Sequence, residues 1–138
     1  MPFFSNSSLE KLATCDQRLQ NILNEAIKII DFKVDCGHRD KAGQDAALAA
    51  GTTTKPWPTG NHNAMPSRAV DILPLAAGKL DWDDLILFGR MMGVVQAIAF
   101  QQGVKLRFGF DWDGDMRSVN RDPDEKFLDA PHVELVGP

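Results

Sequence analysis

Apolar side chains along the first thirty residues recur at helical intervals, with Leu9, Leu12, Leu19, Ile22, Leu23, Ile27 and Ile30 on one face. Such a stripe is what an amphipathic helix turns toward a core. Ser7 and Glu10 have capping-box spacing at its start, so the pattern predicts one long first helix. The period then shortens. Phe32, Val34 and Cys36 alternate with Lys33 and Asp35, which predicts a half-buried strand running into a turn at Gly37-His38-Arg39. Arg39 falls just past the strand end. Residues 41–50 are alanine-rich and stop at Gly51, a helix closed by a glycine C-cap.

From Thr52 to Pro66 the density of threonine, proline and glycine predicts a loop. Ala69 to Leu73 reads as a strand, although Asp71 interrupts its apolar run. Asp81 or Asp83 can cap a helix whose apolar positions continue from Leu85 to Ala99, with Gly103 ending it. Val104, Leu106 and Phe108 alternate with charged residues as a strand, Gly109 to Asp129 is irregular and acidic, and His132 to Val136 forms a last strand. Helices and strands are mixed without regular βαβ alternation, which predicts an α+β fold with a small, mostly antiparallel sheet and flanking helices. At 138 residues and 43% hydrophobic content, with no repeat or linker, residues 1–138 are expected to form one domain.

Charge narrows the function classes. Acidic residues outnumber basic ones by 19 to 15, and the basic ones are scattered, so the positive stripe of a nucleic-acid binder is missing. Cys15 and Cys36 are too few for a disulfide framework and lack metal-knuckle spacing; both are read as reduced packing residues. The N-terminus MPFFSNSSLEK lacks the pattern of a Sec signal, and no apolar run reaches the ~18 residues of a membrane span. The expected product is soluble, made in the cytoplasm and not inserted in a membrane.

Two of the three histidines, His62 and His132, stand near carboxylates in segments unlike ordinary loop or strand sequence. A catalytic zinc takes three protein ligands of the His and Asp/Glu type and leaves a fourth position open, and His62, Asp71 and His132 can supply that set. Asp71 lies among apolar neighbours, where an unpaired charge is costly; a metal ion would compensate it, as would pairing with Arg68 or a solvent-facing orientation. His62 alone reads equally as an exposed loop histidine. Asp129, three residues before His132 and followed by the stiffening Pro131, is the candidate general base that takes a proton from an activated water. By itself it could be a turn residue. Asp111, Asp113 and Asp115 resemble the start of a calcium loop, but the later glutamate is not at the required place, so a solvated acidic loop is expected. Trp112 is expected to pack over the site rim.

Taken together, several segments resemble the zinc D-alanyl-D-alanine carboxypeptidase family and its phage L-alanyl-D-glutamate endopeptidase branch. They are His62-Asn63 with Pro66-Ser67-Arg68-Ala69-Val70-Asp71, Asp129-Ala130-Pro131-His132-Val133-Glu134-Leu135, Cys36-Gly37-His38-Arg39 with Gln44, and Gly109-Phe110-Asp111-Trp112-Asp113. In order, they cover residues from about 32 to 135. The resemblance implies zinc held by His62, Asp71 and His132, Asp129 as general base, and Arg39 steadying the substrate carbonyl or its oxyanion, a task suited to a rigid fork of donors. Gly60 stands where the family often has serine, and the gap from His62 to Asp71 is longer than in many members, as in the phage-type variant. His38 is not expected to ligate, since three protein ligands complete such a site.

The expected activity is hydrolysis of peptide bonds in peptidoglycan stem peptides by a phage endolysin, between L-alanine and D-glutamate. The alternatives are a D-alanyl-D-alanine carboxypeptidase or dipeptidase and, from another class, a non-catalytic metal-containing cell-wall-binding protein. The motifs run nearly to the C-terminus, so no separate cell-wall-binding domain is expected. The expected enzyme is a monomer made in the host cytoplasm that meets the wall after release to the periplasm.

Overall fold

The computed structural model describes residues 2–125 and 127–138. Among the described residues, four helices, α1 (Asn6–Leu12), α2 (Gln17–Ala26), α3 (Lys41–Ala49) and α4 (Leu85–Gln101), accompany four strands, β1 (Phe32–Cys36), β2 (Ala69–Pro74), β3 (Leu106–Phe108) and β4 (His132–Leu135). Short 3-10 turns occupy Asn61–Asn63 and Val119–Arg121. The strands form one sheet in the order β1-β2-β4-β3, every pair antiparallel. This is the α+β architecture expected.

The single long first helix is two helices. Its apolar stripe is real, with Leu12, Leu19, Ile22, Leu23, Ile27 and Ile30 all buried, but the backbone breaks between Leu12 and Gln17. There Ser67 donates to the carbonyl of Thr14 and accepts from the amide of Asp16, both at 2.8 Å, a strand-like pairing that a continuous helix would forbid. Close packing enforces the break, since a Cβ on Gly37 would lie 2.4 Å from both the Lys11 carbonyl and Thr14 Oγ1. The caps also move. Ser5 caps α1 in place of the Ser7–Glu10 box, Asp16 caps α2, and Asp84 caps α4 in place of Asp81 or Asp83. At their C-termini α3 and α4 meet Gly51 and Gly103 at positive φ, as expected.

The core lies on one face of the sheet. Alternate strand residues Phe32, Val34, Val70, Ile72, Val133 and Leu135 are buried there with Met91, Met92 and Val95 of α4 and the apolar face of α2. The other face is free for polar residues. A bulge at the end of β1 decides which ones, because the pairing shifts between Val34 and Cys36 so that Cys36 sits opposite Asp71. Directly paired residues share a face, so Cys36 leaves the Phe32–Val34 face that strict alternation assigns it.

Candidate active site

Register brings the polar face together. Asp71 on β2 is paired with His132 on β4, and Arg107 on β3 with Glu134 on β4. His62 arrives from the 3-10 turn inside the expected loop, which is pinned at both sides: Arg39 donates its amide to the His62 carbonyl at 2.8 Å and Arg68 to that of Asn61 at 3.0 Å. Within the turn, Asn63 Oδ1 accepts from the Gly60 amide at 3.0 Å.

Three side-chain atoms then converge. His62 Nε2 lies 3.3 Å from Asp71 Oδ1 and 3.3 Å from His132 Nδ1, and His132 Nδ1 lies 3.2 Å from Asp71 Oδ1. An ion bound tetrahedrally with bonds of about 2.0–2.1 Å holds its ligand atoms about 3.3–3.4 Å apart. The triangle is thus that of three corners of such a site. Its outer contacts agree: His62 Nδ1 faces the Gly37 carbonyl at 2.7 Å, and His132 Nε2 faces Glu134 Oε1 at 2.7 Å. Those oxygens only accept, so the far nitrogens carry the protons and the near ones can offer lone pairs.

Electrostatics binds the same atoms. Burial disfavours a charged imidazole at His62, but hydrogen bonds to Asp71 and Cys36 outweigh it and raise its pKa to about 10. His132 is likewise raised, its bonds to Asp71 and Glu134 prevailing over burial. Burial would push Asp71 up, yet the two imidazoles hold its carboxyl well below the usual carboxylate range. Protons thus bridge the three groups where a divalent cation could replace them.

Asp129 stands beside the triangle and outside it, with Oδ2 3.9 Å from His132 Nδ1. Burial, followed by repulsion from Asp71, raises its pKa, the direction that suits a proton acceptor. Arg39 reaches Asp71, with Nη2 3.7 Å from Asp71 Oδ2, and it takes the place next to Asp71 that Arg68 was a candidate for; Arg68 instead donates to the Gly137 carbonyl. Gln44, 1% exposed, accepts from Arg39 Nη1 at 3.2 Å and from Asn63 Nδ2 at 3.0 Å. It links the guanidinium to the His62 turn.

The remaining candidates fall around this centre. His38 turns away, its Nδ1 on the Ala64 carbonyl at 2.9 Å. Trp112 tilts against His132 with ring centroids 5.3 Å apart, the rim position expected of it. Asp111 is occupied by its own loop, accepting from the Gly114 and Met116 amides, each at 3.1 Å. Cys15 is buried, and burial pushes its thiol up to about 12, in keeping with a packing role. Cys36 is not a packing residue alone, for its sulfur lies 3.8 Å from His62 Nδ1 and 3.7 Å from Arg39 Nη2. Glu134 stands in the sequence only as a carboxylate two residues beyond His132. It sits on the far nitrogen of His132, turned from the open side of the triangle, and Arg107 holds it at 2.6 Å.

Two imidazoles and a carboxylate with an open corner, a further carboxylate beside it and a guanidinium next to Asp71 are the parts a metal-assisted hydrolase uses. The comparisons with known proteins point the same way. The family described as phage L-alanyl-D-glutamate peptidase matches residues 1–136. The L-alanyl-D-glutamate peptidase of Escherichia phage T5 is 31% identical over 137 residues, covering 96% of this chain and 97% of that protein. In three dimensions, the crystal structure of the Serratia marcescens L-Ala D-Glu endopeptidase ChiX superposes with a TM-score of 0.76 at 21% identity, over 98% of this chain and 91% of that one. The chain belongs to the phage L-alanyl-D-glutamate peptidase family.

Proposed function

We propose that this protein is a zinc-dependent L-alanyl-D-glutamate peptidase that hydrolyses peptidoglycan stem peptides as a phage endolysin. The observation that carries the zinc reading is the triangle of His62 Nε2, Asp71 Oδ1 and His132 Nδ1, with edges of 3.2–3.3 Å. Two imidazoles and one carboxylate are also a donor set that suits zinc. The choice of bond is supported by the family and by the name of the phage T5 relative. Among the described residues no helix is long and apolar enough to cross a membrane.

In this reading His62, Asp71 and His132 hold the ion. When bound, zinc supplies Lewis acidity that makes water a nucleophile at neutral pH and polarises a carbonyl. Asp129 takes the proton of the attacking water and passes it to the leaving amine of D-glutamate. Arg39, oriented by Gln44, faces the substrate's carbonyl oxygen and steadies the charge that gathers there. Trp112 packs its ring against His132 and bounds that side of the cluster.

Metal analysis of protein purified without added zinc tests the reading. About one zinc per chain is expected, with turnover of purified peptidoglycan abolished by a chelator and restored by Zn²⁺. A metal-free preparation with full activity overturns it.

A further inference from the structure

Glu134 is a buried carboxylate that the mechanism above leaves unused, 3% exposed. Its two oxygens have separate tasks. Oε1 accepts from His132 Nε2 at 2.7 Å. Oε2 accepts from Arg107 Nε and Nη2 at 3.1 and 2.6 Å, and from Asn61 Nδ2 at 2.8 Å. Asn61 directly precedes His62 in the 3-10 turn. One carboxylate therefore ties the segment bearing one imidazole to the strand bearing the other, and its charge is matched by Arg107 across the β3–β4 pair.

We propose that Glu134 is the positioning residue of the ligand cluster. It keeps the His132 proton on Nε2, so that the Nδ1 lone pair faces Asp71 and His62, and through Asn61 it sets the spacing of the two imidazoles. The inference rests on the zinc reading. Its physical core is a matter of donors and acceptors. Arginine has five donors and no acceptor, so Arg107 requires an acceptor at the Oε2 position. A carboxylate satisfies Arg107 and His132 at once. An amide of the same shape cannot, because its oxygen must face Arg107 and its NH₂ then faces His132 Nε2. That NH₂ needs an acceptor, which drives the imidazole proton to Nδ1, into the triangle where the ion binds.

Glu134→Gln therefore replaces one acceptor oxygen by an NH₂ donor and removes the charge, with almost no change of volume. Partners of this kind typically contribute 10- to 100-fold in metal affinity, and a loss in that range is expected in a titration of the full chain against a chromophoric zinc chelator. Arg107→Leu alone should give a smaller loss in the same direction. The double variant Glu134→Gln/Arg107→Leu should bind zinc more tightly than Glu134→Gln, because the introduced amide is then free to turn its oxygen to His132. A residue that only filled space would give losses that add. Long-range ¹H–¹⁵N spectra of the zinc-loaded parent should show His132 protonated at Nε2 and bound through Nδ1, a readout that needs no variant to fold. The proposal is overturned if Glu134→Gln binds zinc as tightly as the parent, if the double variant is weaker than Glu134→Gln, or if the zinc-loaded parent carries the His132 proton on Nδ1. A parent that binds no zinc would instead refute the zinc reading itself.

Discussion

Asp129→Ala separates proton transfer from metal binding more cleanly than any other change at this site. The carboxylate lies 3.9 Å from His132 Nδ1, while the triangle's own edges are 3.2–3.3 Å, so its removal leaves three ligand atoms in place. The loop that carries it is held by main-chain bonds: Asp129 donates its amide to the Gly109 carbonyl at 2.8 Å, and its own carbonyl accepts from the His132 amide at 3.1 Å. Neither bond involves the side chain, which is 27% exposed. Folding should be close to parental. Removing a general base costs about 10²- to 10⁴-fold in rate, roughly 3–5 kcal/mol of barrier. The assay pairs two measurements on one preparation: zinc content by elemental analysis, and the rate of peptide release from purified peptidoglycan. Near-parental zinc with a rate lower by that factor is expected. Turnover near the parental rate would refute the base assignment, and loss of zinc would make Asp129 a ligand.

His132→Ala, by contrast, deletes a corner of the triangle and should lose both zinc and activity, a result checked by the same paired assay. Gly109→Ala would place a Cβ 2.1 Å from the Asp129 carbonyl and 2.9 Å from His132 Cβ; overpacking of this kind costs about 1–3 kcal/mol, to be read as a lower urea midpoint together with reduced turnover, and an unchanged midpoint and rate would contradict it. For the metal-free chain, His62 and His132 are raised above their ordinary value of 6.5, so their stabilisation is complete below that pH and is lost as pH rises, through about 10 for His62. Glu134 is lowered from 4.5 to about 2 by hydrogen bonds to His132 and Arg107 that outweigh burial, and Asp71 is lowered from 3.8, so their stabilisation is present above those ordinary values and fades as pH falls. Urea unfolding should then find the metal-free chain most stable between about pH 4.5 and 6.5, and stability that climbs steadily from pH 6 to 9 would contradict this. Zinc must displace the same protons, so its affinity should weaken as pH falls through that window.

The strands were legible because one face is apolar and alternation survives in short segments such as Val70, Ile72, Val133 and Leu135, all fully or nearly buried. His62, Asp71 and His132 stood out for the converse reason, as polar residues where burial is costly, and the structure brings them within hydrogen-bond range. What sequence pattern could not show were effects of contact between distant segments. The break between α1 and α2 comes from pairing with Ser67 and from the approach of Gly37, while the apolar stripe runs on through it. The bulge that turns Cys36 toward Asp71 leaves no trace in alternation. Glu134 reads in sequence as a carboxylate two residues from a histidine; only the register with Arg107 and the contact with Asn61 reveal which nitrogen it serves.

Mass analysis of the fragments released from purified peptidoglycan tests the central claim most directly. Zinc-loaded enzyme should free stem peptides that begin with D-glutamate and leave L-alanine on the glycan, and chelated enzyme should release none. Release of D-alanine alone from pentapeptide stems, or equal release with and without chelator, would contradict the account.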